Sequence, residues 1–117
     1  MPQPLELPAK KTMKLIQCII GLDKLEAAVE ELAKWTPGLT ATPVRDCDEK
    51  ERICVYRGAQ YRVLSPKIMI ELAVDDNKVD DLVRILVEIG RNGGEDERRI
   101  FVVPVEQAYH VRTGFMD

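Results

Sequence analysis

The side chains of this chain that could do covalent or metal chemistry are few, and their spacing argues against most of it. Cys18, Cys47 and Cys54 form no C-x-x-C pair and His110 is the single histidine, so a structural zinc has no ligand set. Cys47 and Cys54 lie in a polar stretch where two thiols could pair or answer to oxidation, although a free cysteine most often serves as a small apolar side chain. The run Glu95-Asp96-Glu97 could coordinate a cation, but consecutive side chains rarely converge on one ion, and such a run is ordinarily a solvated loop. Gly93-Gly94, just before it, reads first as a helix stop. No pairing of a nucleophile with a base emerges, so binding is a better expectation than catalysis.

The elements that must position these residues fit in one domain. The chain has 117 residues, 45% of them hydrophobic and 32% charged, which excludes a large multidomain enzyme. Its net charge is −3 and its basic residues are spread along the chain, so it lacks the footprint of a nucleic-acid binder. No apolar run approaches the roughly 20 residues that span a bilayer, and residues 1–12 lack the apolar centre of a signal peptide, which gives a cytoplasmic expectation.

Residues 1–12, with Pro2, Pro4 and Pro8, read as a flexible N-terminal extension to a domain over 13–117. The run Lys-Leu-Ile-Gln-Cys-Ile-Ile from Lys14 predicts a strand buried on both faces, closed by Gly21. Leu22, Leu25, Val29 and Leu32 recur at helical spacing, Thr36-Pro37-Gly38 stops that helix, and residues 39–44 predict a second strand. Residues 45–62 are polar, with five basic and four acidic side chains and no sustained apolar period, and predict a long loop or ribbon. Ile68, Ile70, Leu72 and Val74 alternate as a strand does, while Val79, Leu82, Val83, Leu86 and Ile89 repeat as a helix does. Residues 100–105 predict another buried strand, and a short element is expected around 109–113. The order is that of an α+β, ferredoxin-like split βαβ sandwich. One helical layer leaves the other sheet face bare, and oligomerisation is the natural way to cover it.

Tyr56-Arg57-Gly58-Ala59-Gln60-Tyr61 resembles the loop signature of the PII family of signal-transduction proteins, and residues 99–114 resemble that family's second signature. The similarity spans residues 13–114 in the right order. It implies a non-enzymatic homotrimer, with adenine nucleotide in three clefts between subunits and a long T-loop, here about 45–62, that docks onto target proteins. It also implies that Ile19, Thr40, Lys67, Glu71 and Ala73 line the nucleotide cleft, Glu71 and Ala73 beside ribose and adenine. Arg99, His110 and Arg112 fall where the family places three basic phosphate ligands, and Arg98 adds a further arginine. Tyr61 matches the tyrosine that some members have uridylylated; Ala59 stands where others carry a phosphorylated serine, so that modification is excluded by chemistry.

Two departures qualify the resemblance. The family's phosphate loop, T-G-x-x-G-D-G-K, reads here Asn92-Gly-Gly-Glu-Asp-Glu-Arg-Arg99, with Asp96 and Arg98 at later glycine positions. Backbone N–H donors are thereby lost and arginine forks gain weight. No glutamine occurs between Gln17 and Gln60, although typical members hold magnesium and 2-oxoglutarate with one at the loop base. The expectation is a divergent member favouring ADP or AMP, and responding to bicarbonate as the carboxysome-associated branch does. The alternative is a classical nitrogen-regulatory member that senses ATP, ADP and 2-oxoglutarate. A small hydrolase of acylphosphatase-like architecture and a structural trimer like the CutA proteins are weaker alternatives.

Overall fold

Alternation along the β-branched run after Thr12 produces β1 (Met13–Ile20), in which Ile16, Cys18 and Ile20 are buried and the odd-numbered side chains are half-open. The computed structural model describes residues 12–36, 38–47, 53–62, 64–91 and 99–116. Residues 1–11 of the expected 1–12 extension, the Gly93-Gly94 stop, the acidic run 95–97 and Arg98 fall outside the described residues. A 3-10 turn (Leu22–Lys24) leads from β1 into α1 (Leu25–Leu32), then β2 (Thr40–Asp46). A hairpin of β3 (Ile53–Tyr56) and β4 (Ala59–Arg62) precedes β5 (Ser65–Asp75), a second 3-10 turn (Asp76–Lys78), α2 (Val79–Arg91) and β6 (Ile100–Val105).

Four strands form an antiparallel sheet in the order β2-β5-β1-β6, so β5 lies between the two strands that flank α1. That is the split βαβ plan of a ferredoxin-like domain. Proline marks both edges, Pro43 in β2 and Pro104 in β6, where a missing N–H costs least. Ile16, Cys18 and Ile20 of β1 and Ile68, Ile70, Leu72 and Val74 of β5 meet Ala28 and Leu32 of α1 and Leu82, Leu86 and Ile89 of α2. Asp80 and Asp81 open α2 and Arg91 closes it, each complementing the helix dipole.

Several sequence expectations change. The strand expected to be buried on both faces, β1, is buried on one, because among the described residues no layer covers the second face. β6 has the expected bounds but is an edge strand, with Phe101 56% and Val103 39% exposed. In the first helix Ala28, one turn before Leu32, is buried where Val29 was expected and Val29 is exposed; Leu22 is exposed because it lies in the 3-10 turn, outside the helical phase of α1. The second strand continues to Asp46, two residues past its expected end.

Within residues 45–62, Arg45 and Asp46 finish β2 and residues 53–62 form a two-stranded ribbon separate from the main sheet. Tyr56 pairs with Ala59, leaving Arg57 and Gly58 as a two-residue turn with φ of 52° and 78°. Both central residues are left-handed, the geometry whose twist matches a hairpin, and only Gly58 adopts it freely. The Arg57 guanidinium lies 5.3 Å from the centre of the Tyr56 ring, a cation–π contact that offsets part of the strain.

Candidate ligand cleft

The unlayered sheet face is built by alternation. Leu15, Gln17 and Ile19 of β1 share it with Thr40, Thr42 and Val44 of β2, Lys67, Met69, Glu71 and Ala73 of β5, and Phe101 and Val103 of β6. The middle of this mostly apolar face carries a polar row, in which register places Thr40 opposite Glu71, Glu71 opposite Gln17 and Gln17 opposite Phe101. Gln17 Nε2 donates to Glu71 Oε2 at 2.9 Å.

An open cleft of about 610 Å³ begins at this row and runs toward the Met13 and Asp75 end of the sheet. Thr40, Glu71 and Ala73, all expected to bind ligand, line it together with Leu15, Thr36, Lys78 and Ala108 among others. Thr36 is buried, and its hydroxyl both donates to the Gly38 carbonyl (3.3 Å) and accepts from the Gly38 N–H (3.4 Å). That exchange fixes the α1–β2 connection as one wall. Lys78 Nζ donates to the Trp35 carbonyl at 3.3 Å, tying the start of α2 to the same connection. Apolar walls with two hydroxyls, two carboxylates and an ammonium suit a partly apolar ligand that carries hydroxyl or amino donors. The described lining residues include no serine, cysteine or histidine, and no described cluster of His, Cys, Asp and Glu could hold a metal ion.

The other expected ligand residues lie elsewhere. Lys67 is on the same face but four residues back along β5, about 13 Å from Glu71 at strand rise. Ile19 pairs with Met69, two residues from Glu71 in the direction of Lys67. Arg99 immediately precedes β6, whose pairing begins with Ile100 opposite Cys18, so it too lies toward that end. His110 and Arg112 are exposed in a terminal turn that begins shortly after Ala108. There His110 N–H donates to the Phe115 carbonyl, Gly114 N–H donates to the His110 carbonyl at 2.7 Å, and Gly114 takes the left-handed φ of 74° that closes the turn. Tyr61 is on β4 opposite Cys54, remote in the sheet topology from the cleft. Sequence reasoning does not reach Gln17, Thr36, Lys78 or Ala108. The signal for Gln17 is that it is the one polar residue between Leu15 and Ile20.

A ferredoxin-like domain with a binding cleft at one end of an open sheet face, and a separate projecting hairpin, defines a binding protein. Residues 13–115 match the family model for nitrogen regulatory protein P-II. The chain is 36% identical over 105 residues to nitrogen regulatory protein P-II of Pasteurella multocida, covering 87% of this chain and 94% of that protein. It is 38% identical over 105 residues to P-II of Cereibacter sphaeroides, with the same coverage, and 34% identical over 108 residues to GlnK of Escherichia coli, covering 90% and 96%. Its fold superposes on the crystal structure of Arabidopsis thaliana PII bound to citrate with a TM-score of 0.72 at 22% identity, over 92% of this chain and 90% of that one. The chain belongs to the P-II family and is a signalling regulator, not an enzyme. Among the described residues no helix is long and apolar enough to cross a membrane.

Proposed function

We propose that this chain works in the cytoplasm as a homotrimer that binds an adenine nucleotide in each cleft between subunits and reports its occupancy to a target protein through the T-loop ribbon. The supporting observation is the division of the expected ligand residues between two ends of one open face. Thr40, Glu71 and Ala73 stand at the cleft, and Lys67 and Arg99 stand toward the opposite end. A head-to-tail neighbour brings the two ends together, and a closed ring of such contacts is what a cyclic trimer provides.

Our reading favours ADP or AMP over Mg-ATP, with bicarbonate as co-ligand and inorganic-carbon metabolism as the setting. Glu95, Asp96 and Glu97 would each repel a γ-phosphate by about 1.4 kcal/mol at roughly 6 Å and an effective dielectric near 40, while Arg98 and Arg99 would offset part of this. The absence of a glutamine between Gln17 and Gln60 removes the ligand that would reward the γ-phosphate through magnesium and 2-oxoglutarate. Calorimetric titration of ADP, AMP and Mg-ATP, each with and without bicarbonate or 2-oxoglutarate, tests this. Tighter ADP or AMP binding that responds to bicarbonate is expected. The names of the curated relatives favour the second reading, nitrogen regulation; tightest binding of Mg-ATP, further tightened by 2-oxoglutarate, would establish it and overturn the first.

Nucleotide contacts made in only one state of the ribbon would couple cleft to target. No described residue within 45–62 belongs to the buried core. Deleting residues 48–57 is therefore expected to leave the trimer and the cleft core folded while abolishing target regulation. Survival of target capture after the deletion would move the docking surface off the ribbon.

A further inference from the structure

Gln17 and Glu71 are direct cross-strand neighbours, and their hydrogen bond is the polar centre of a face otherwise built from side chains such as Leu15, Ile19, Met69 and Phe101. A polar pair in such a setting costs desolvation once the face is covered, so it needs a role that an apolar pair would not fill. Glu71 lines the cleft; Gln17 does not and reaches the carboxylate from β1. A free glutamate side chain samples many rotamers, and ordering it on ligand binding costs affinity. The Gln17 amide occupies Oε2 and leaves Oε1 as an acceptor. Because the amide is neutral, it holds the carboxylate without cancelling its charge, and hydrogen bonds to a charged acceptor are the stronger kind.

We propose that Gln17 is a positioning residue: it presents the second carboxylate oxygen of Glu71 to a sugar hydroxyl of the bound nucleotide, so that the cleft distinguishes ribonucleotides from deoxyribonucleotides. This rests on the reading that the cleft takes an adenine nucleotide with Glu71 beside the sugar, and adds to it the residue that gives Glu71 its aim. Thr40, on the other side of Glu71 in the same row, bounds the carboxylate from β2.

The test is calorimetric titration of ADP, 2′-deoxy-ADP and 3′-deoxy-ADP into the full-length protein, its Gln17→Met and Glu71→Gln variants, and the double variant. Wild type is expected to bind at least one deoxy analogue on the order of tenfold more weakly than ADP, the worth of one hydrogen bond to a charged group. Gln17→Met keeps the side-chain length but removes the donor, and the ratio should fall toward one; adding it to Glu71→Gln should change the ratio no further. A merely structural role would weaken all three nucleotides together and leave the ratio intact. If Gln17→Met does not assemble, Gln17→Asn, which keeps the amide but shortens its reach, reads the same ratio. An unchanged ratio in the folded Gln17 variant, or equal binding of all three nucleotides by wild type, overturns the positioning role while leaving the cleft reading in place. Absence of adenine-nucleotide binding to wild type overturns both.

Discussion

Phe101→Glu is expected to convert a particle of about 40 kDa, three times the 13.3 kDa chain, into one of the mass of a single chain. Phe101 is on the open face of an edge strand, opposite Gln17, and is 56% exposed in the isolated chain. Covering what remains of its ring would contribute about 2 to 3 kcal/mol per subunit at roughly 25 cal/mol per Å². The carboxylate removes that contribution and adds the cost of taking a charge out of water, which is several kcal/mol unless a partner group is at hand. In a closed trimer the substitution occurs at all three interfaces, so the penalties combine in a single assembly equilibrium. The fold itself is spared, because the core is built on the opposite face from Ile16, Ile70, Leu32, Leu82 and Leu86. Light scattering at micromolar concentration should report the single chain, with circular dichroism retaining the native helix and strand signals. A persistent 40 kDa particle would place the subunit contacts on some other surface.

What could be read in advance follows from which interactions act locally. β5 was legible residue by residue, because a strand with one face on a core and one facing outward alternates visibly, and Ile68, Ile70, Leu72 and Val74 are the buried set. The long α2 was legible for the same reason at helical spacing. β1 and β6 were legible as strands but not in their burial. Their apolar runs have a face that no described residue layers over, and no pattern within a strand says whether a face is covered. The first helix was misread at two positions: Leu22 lies in the 3-10 turn, whose three residues per turn break a count at 3.6, and of Ala28 and Val29, four and three residues before Leu32 in α1, the core takes Ala28. The ribbon was only half legible: β3 and β4 form a sheet of their own and none of their described residues is in the core, so no core pattern marks them, and Arg57-Gly58 is a weaker turn signal than Asn-Gly. The family signatures pointed to Thr40, Glu71 and Ala73, which share the cleft. They did not point to Gln17, whose contact with Glu71 depends on strand order and register rather than on any motif.

Mixing two binding-deficient variants is expected to restore binding sites that neither variant has alone. Glu71→Ala removes a group at the cleft, and Arg99→Ala removes a cation toward the opposite end of the sheet. Each substitution should weaken ADP by roughly 10- to 100-fold, the loss of one charge-assisted hydrogen bond of about 1.5 to 3 kcal/mol. If each cleft takes Glu71 from one subunit and Arg99 from the next, a trimer carrying both variants has some clefts with neither defect and others with two. After unfolding and refolding at equal proportions, about a quarter of the clefts should regain wild-type affinity, because the two contributing subunits are drawn independently. If both groups came from one subunit, every cleft in the mixture would lack one of them and no tight sites would appear. A second mixture, of wild type with the double variant Glu71→Ala/Arg99→Ala, runs the opposite way. Shared clefts again give about a quarter of tight sites, whereas clefts built within one subunit give about a half. The fitted stoichiometry of tight ADP sites in the two titrations therefore tests the division of the site between subunits independently of how strongly each residue binds.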